Sequence, residues 1–220
     1  MKLGKKAFLF DLNGTMINDM EYHLDAWYHM LNNDLGAGLS REVVKSHMYG
    51  KNDELLVRVF GEGHFTAAQM AEISREKELR YQEVYKPHLE LISGLKAFMD
   101  KAVNQGVLMA IGSAAIPFNI DFVLDNLQLR HYFKTIVSAD DVVLSKPHPE
   151  TYLKAAAILE VAPEDCVVFE DAPKGVEAAW NAGMDSVVLT TMHTQEEFAQ
   201  YPNAVAFVSD YTNPVLNNLF

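Results

Sequence analysis

A chain of 220 residues, 49% hydrophobic and 22% charged, has the composition of a globular protein able to bury a real core, as one large domain or as a core with a modest insert. Its 30 acidic and 18 basic residues give a formal charge of −12, which argues against nucleic acid or an anionic membrane as the main partner, since both need a basic surface. An anionic small molecule stays open, because it needs only a few placed donors and a metal, and no stretch approaches the roughly 18 apolar residues of a membrane span.

The first six residues lead into a strand pattern with no signal-peptide cleavage site, so a cytoplasmic protein is expected. Ala7–Leu12 is an apolar run that ends on a charge and then on Asn13-Gly14, a turn signal. From about Asp19 to His88 only helical patterns appear. Glu21–Asn32 is amphipathic, Ser40 is placed to N-cap the next segment, and Asn52 to cap Asp53–Phe60. Thr66 and Gln69 have the spacing of a capping box that opens a long polar helix to about Tyr85. Beyond it, a helix over Gly94–Gln105 stops at Gly106 and a strand follows at Val107–Ile111. Helices are predicted over Phe118–Leu127, Pro149–Leu159 and Gly175–Asn181, and strands over Cys166–Phe169, Ser186–Leu189 and Ala204–Val208. Cys166 is the only cysteine, which excludes an internal disulfide and a cysteine-rich zinc site. Its apolar setting marks it as a buried structural thiol. Trp27 and Trp180 lie on helices and are expected to pack in a core or interface.

Apolar strands alternating with helices indicate a parallel sheet covered on both faces. The expected fold is α/β, a doubly wound parallel sheet built from residues 1–16 and 89–220. An all-helical domain of residues 17–88 is inserted after the first strand.

In open parallel sheets ligands bind beyond the carboxyl ends of the strands. Four polar features fall there: Asp11 with Asn13, Gly14 and Thr15; Ser113; Lys146 at the mouth of a helix; and Glu170 with Asp171. Together they suit phosphoryl transfer, which needs charge neutralised on the non-bridging oxygens while nucleophile and leaving group align. Asp11 and Asp171 can hold Mg²⁺ through hard oxygen ligands. The second Asp11 oxygen can attack phosphorus and form an aspartyl-phosphate. Ser113 and Thr15 offer hydroxyl donors to a phosphoryl group, and Lys146 a point charge.

Asp-Leu-Asn-Gly-Thr (11–15), Ser113, Ser-Lys-Pro-His-Pro (145–149) and Glu-Asp (170–171) resemble the four motifs of the haloacid dehalogenase superfamily, and the helical insert resembles its cap domain. Within it, Glu21-Tyr22-His23 with Ala26-Trp27 is similar to the first cap helix of the β-phosphoglucomutase-like subgroup. The resemblance implies a Mg²⁺-dependent phosphatase acting on a small phosphorylated metabolite, with Asp11 as nucleophile. The metal set it implies is Asp11, the Asn13 carbonyl, Glu170 and Asp171. It implies further that His23 is a hinge histidine, Lys77 its cap partner, and Lys51 in Gly50-Lys51-Asn52 a cap residue that reaches the substrate. A monomer is expected.

Two departures bear on function. The first motif usually carries a second Asp that transfers protons; here it is Asn13, and an amide cannot act as acid or base. The mutase carries a lysine and other polar groups after the Ser113 position for a distal phosphate, where this chain has Ala114-Ala115-Ile116-Pro117. The alternatives are a β-phosphoglucomutase-type isomerase and a phosphometabolite-binding protein of low turnover.

Overall fold

The computed structural model describes residues 4–220. Two compact units divide the chain: one holds the residues up to Asn18 together with Glu90–Phe220, the other Asp19–Leu89. The sequence reading set the insert at 17–88.

The first unit is built on six strands: β1 (Ala7–Phe10), β2 (Leu108–Gly112), β3 (Thr135–Val137), β4 (Cys166–Glu170), β5 (Asp185–Leu189) and β6 (Ala204–Val208). All pair in parallel, in the order β3-β2-β1-β4-β5-β6. The central strand β1 has no exposed residue, so it reads as an unbroken apolar run, as a strand buried on both faces must. Its two faces meet different partners. Phe8 stacks on Phe98 of α5 (Leu95–Asn104) with ring centroids 5.3 Å apart, and Phe10 on Phe169 at 4.7 Å. Ala7 and Leu9 face a cluster rich in small residues, including Ala155 and Ala156 of α7 (Glu150–Leu159) and Ala178 and Ala179 of α8 (Pro173–Asn181). Those small side chains let both helices lie close to the sheet. α6 (Pro117–Asn126) completes the helices of this unit.

β3 was not read from the sequence. It has three residues and is half-buried at the sheet edge, too short for any periodicity to register. Cys166 is buried, and burial pushes its thiol up to about 11, in keeping with an inert structural role. Of the two places expected for Trp180, the structure removes the core: it is 48% exposed and touches Tyr201 edge-on.

The strand order reverses between β1 and β4, so their carboxyl ends frame the crevice typical of such sheets. The chain leaves this unit through Ile17 and re-enters beside it: Ile17 bridges Leu91, and the Ile92 amide donates to the Met16 carbonyl at 2.9 Å.

The second unit contains α1 (Met20–His29), which runs on into a wider turn over Met30–Asp34, then α2 (Arg41–His47), α3 (Asn52–Phe60) and α4 (Ala67–Tyr85). Leu24, Trp27, Leu31, Val44, Leu56 and Tyr81 are buried in it. The hydroxyls of Ser40 and Thr66 accept from the amides of Val43 and Gln69, both at 3.3 Å. Asn52 does not cap α3 as expected. It is the first helical residue, Lys51 stands at the cap position, and the Asn52 carboxamide donates to Glu78 at 2.8 Å. A buried carboxylate on α4 outcompetes the local cap. Among the described residues, no helix is long and apolar enough to cross a membrane.

Candidate active site

Asp11 directly follows β1, and its amide donates to the Phe169 carbonyl at 3.0 Å, which fixes it against β4. Gly14 takes a left-handed φ of 72°, open to glycine without steric cost, and turns the chain back so that Thr15 lies under the strand end. Its carbonyl accepts from the Thr191 hydroxyl at 2.7 Å, and the Thr15 carbonyl from the Tyr211 hydroxyl at 3.1 Å. The Thr15 hydroxyl donates to Asp171 Oδ1 at 3.3 Å. The loops after β1 and β4 are therefore joined through side chains. Asn13 lies in this turn, partly buried.

Carboxylate oxygens of Asp11, Glu170 and Asp171 all lie within 4.8 Å of one another, and all three residues are buried. Lys146 reaches into the group, with Nζ 2.6 Å from Asp11 Oδ1 and 2.7 Å from Glu170 Oε1. Burial alone would push the Lys146 ammonium down, but Asp11 and Glu170 outweigh it and hold its pKa above the ordinary lysine value. Glu170 is also held from the other side: its Oε2 accepts from the amides of Asp171 and Ala172, both at 2.9 Å, just before α8 starts. Ser113 follows β2, and the pairing of Phe10 with Ile111 carries it to the same sheet edge. Its amide donates to the Val137 carbonyl and its hydroxyl accepts from Ala115 at 3.1 Å.

Three carboxylates around one ammonium leave two negative charges in excess. All the donors are hard oxygens, and among the described residues no histidine or cysteine joins the group. That donor set fits a small hard divalent cation and does not suit a soft metal.

The structure thus brings Asp11, Thr15, Lys146, Glu170 and Asp171 together and places Asn13 and Ser113 at the same strand ends. His23, Lys51 and Lys77 belong to the second unit. There Lys77 is 2% exposed, with Nζ 2.7 Å from His23 Nδ1 and 2.9 Å from Glu78 Oε1. An ammonium only donates, so Nδ1 accepts, and the opposite nitrogen, Nε2, faces Asp19 Oδ2 at 3.3 Å. The same Asp19 oxygen accepts from the Tyr81 hydroxyl at 2.5 Å. Lys51 opens α3, and its amide donates to Glu54 Oε2 at 3.0 Å.

Sequence reasoning missed Tyr152, Gly175, Thr191 and Tyr211. Tyr152 is wholly buried, with its hydroxyl 2.9 Å from Glu170 Oε1. Burial and then Glu170 push its phenol well above the usual range, so it stays a donor. The available signal was spacing: Tyr152 lies on the helix that Lys146 precedes.

Residues 8–189 match the family model described as haloacid dehalogenase-like hydrolase. The chain is 31% identical over 186 residues to a fructose-1-phosphate phosphatase of Escherichia coli, covering 82% of this chain and 94% of that one. It is 30% identical over 194 residues to the β-phosphoglucomutase of Bacillus subtilis, covering 83% and 82%. Among solved structures, CbbY of Rhodobacter sphaeroides, in complex with xylulose-(1,5)-bisphosphate, superposes with a TM-score of 0.82 at 26% identity, over 95% of this chain and 96% of that one.

Proposed function

Because this chain belongs to the haloacid dehalogenase-like hydrolases, we propose that it is a Mg²⁺-dependent phosphatase of small phosphorylated metabolites, sugar phosphates above all. The observation that carries this reading is the buried Asp11 carboxylate, 2.6 Å from Lys146 and grouped with Glu170 and Asp171. Asp11, Asp171, Glu170 and the Asn13 carbonyl would hold the ion. Bound there, Mg²⁺ supplies positive charge that offsets repulsion between the Asp11 carboxylate and a phosphate dianion.

The chain's own groups do the rest. An Asp11 carboxylate oxygen attacks phosphorus as the ester oxygen departs with its bonding pair, giving an aspartyl-phosphate. Ser113 and Thr15 donate to the non-bridging oxygens, and Lys146 keeps its charge beside them. Water then attacks the phosphoryl group, releasing inorganic phosphate and restoring the carboxylate. The Asn13 carboxamide supplies no proton to the leaving oxygen, so reaction is slow unless that oxygen is a good leaving group. Lys51 contributes to substrate choice, and the His23–Lys77 pair holds the helices of its unit together.

Phosphate release from p-nitrophenyl phosphate and a panel of sugar phosphates tests the reading. Asp11→Asn is expected to abolish release, and acid-quenched enzyme should carry phosphate on the peptide containing Asp11. Label elsewhere, or turnover by the variant, defeats the assignment.

Identity to the Bacillus subtilis enzyme favours a second reading, a sugar-phosphate isomerase. Against it, residues 114–117 offer no cation for a second phosphate. Activation of sugar-phosphate interconversion by a sugar bisphosphate would establish the isomerase. Tight Mg²⁺-dependent binding without release would make the protein a phosphometabolite binder instead.

A further inference from the structure

The Lys146–Glu170 pair rests on a residue that takes no part in the reaction sketched above. Tyr152 lies in the first turn of α7, six residues after Lys146. Its hydroxyl donates to Glu170 Oε1, the same oxygen that accepts from Lys146, and its ring centroid is 4.7 Å from Lys146 Nζ. The ammonium therefore sits between Asp11 Oδ1, Glu170 Oε1 and the face of an aromatic ring.

Two glycines make room for this arrangement. A Cβ on Gly112, at the end of β2, would come within 3.0 Å of the Tyr152 ring. A Cβ on Gly175, in α8, would fall 1.7 Å from Glu170 Oε1. Neither glycine has a left-handed φ, so what matters at both is the missing side chain. Two elements, β2 and α8, thus leave space for one buried polar contact made from α7.

We propose that Tyr152 is a positioning residue for phosphoryl transfer: through its hydroxyl on Glu170 and its ring against the ammonium, it fixes Lys146 in register with Asp11. An ordinary core tyrosine needs only some acceptor for its proton. This one gives it to the oxygen that also orients the ammonium, and it offers a negative ring face to the charge. Lysine is a point charge on a four-carbon flexible stem, so without such a seat its Nζ wanders. Preorganised charge counts most where charge develops in the transition state, so the cost falls on kcat more than on KM. The inference rests on the phosphatase reading.

The test compares Tyr152→Phe and Tyr152→Leu with Leu159→Ala, a buried change on the same helix away from the site. Each is assayed with Mg²⁺ and p-nitrophenyl phosphate well below its unfolding temperature. Tyr152→Phe keeps the ring and loses the donor, so kcat is expected to fall about tenfold with KM nearly constant. Tyr152→Leu also loses the ring and falls further, whereas Leu159→Ala keeps the wild-type kcat. A wild-type kcat in Tyr152→Phe, or an equal loss in Leu159→Ala, overturns the proposal.

A second measurement needs no turnover: the ¹⁵N signal of the Lys146 ammonium, assigned by its loss in Lys146→Met. Its protons should exchange with water slowly in the wild type and much faster in Tyr152→Phe. Unchanged exchange overturns the seat even if the wild type releases phosphate. If the wild type releases none, the phosphatase reading fails and the ammonium signal still decides whether Tyr152 seats Lys146.

Discussion

Asn13 lies two residues beyond the proposed nucleophile, where a leaving alkoxide needs a proton that a carboxamide cannot give. Asn13→Asp is therefore expected to raise turnover of an alkyl or sugar phosphate by roughly 10²–10⁴-fold while scarcely changing the rate of phosphoenzyme formation from p-nitrophenyl phosphate. Rapid-quench rates on both substrates measure the difference. Asn13-Gly14 is prone to deamidation, so peptide mass spectrometry must first show the wild type intact; equal alkyl rates in intact protein would mean that another group supplies the proton. Gly175 invites a second single-residue test. An alanine there drives its Cβ into the Glu170 carboxylate, and overpacking of that kind costs about 1–3 kcal/mol, readable by urea unfolding. The contrast between these positions explains what could be read in advance. Asp11 and Asp171 stand out in the sequence because charges at the ends of apolar runs have no packing reason to be there, and Lys146 because it precedes Pro147 and Pro149 at the mouth of a helix. Tyr152 and Gly175 do not stand out: a tyrosine on an amphipathic helix and a glycine near a helix start have ordinary explanations, and only packing between distant elements gives them another.

At the level of elements, α4 shows how a helix that looks polar in sequence can bury its charges. Lys77 and Glu78 are 2% and 3% exposed, although they lie in a long helix of mostly polar residues. Burial would raise the Glu78 carboxyl, but the charge of Lys77, then His23 beside it and the hydrogen bond from Asn52 more than offset it and hold it down to about 2, against an ordinary 4.5. Burial lowers Lys77, and Glu78 and Asp19 offset that only in part. Since the folded pKa of Glu78 lies below the unfolded one, the unfolded chain takes up the proton first as pH falls. The stabilisation is then complete above about pH 4.5 and is lost progressively as pH falls towards 2. Glu78→Gln should flatten the pH dependence of unfolding across that window, followed by circular dichroism. Lys77→Met leaves a buried carboxylate without its cation and should cost about 3–5 kcal/mol, much of it recovered in the Lys77→Met/Glu78→Gln double variant. Additive losses would show that the pair is not coupled. Asn52 was misread for the same reason: its partner is on another helix, and sequence spacing reports only local caps. β3 escaped because three edge residues carry no pattern, whereas β1 and β4 declared themselves through unbroken apolar runs.

Across the whole molecule, the sequence shows strands alternating with helices, broken once by a long helical stretch, and the chain divides into two compact units. The site lies within the first unit, and its net charge dictates how that unit answers a cation. One ammonium offsets only part of the charge on three buried carboxylates, and in the proposed reading a divalent ion would relieve the repulsion left among them. An ion that binds the folded chain and not the unfolded one adds stability by mass action, about 2.7 kcal/mol at a hundredfold excess over Kd. Mg²⁺ should therefore raise the unfolding midpoint, and hydrogen exchange should slow in the loops after β1 and β4 while residues 19–89 are unaffected. A chain of charge −12 also gains stability from any cation that screens its surface, and this must be separated from the site. Screening is already saturated in about 1 M NaCl, where the Debye length is about 3 Å, so a Mg²⁺ effect that survives in high salt belongs to the cluster. Asp171→Ala removes one carboxylate from the site while hardly altering the surface, and it should abolish the surviving effect. If the variant retains the full shift in high salt, or if protection appears only within residues 19–89, the cation binds elsewhere and the metal assignment falls.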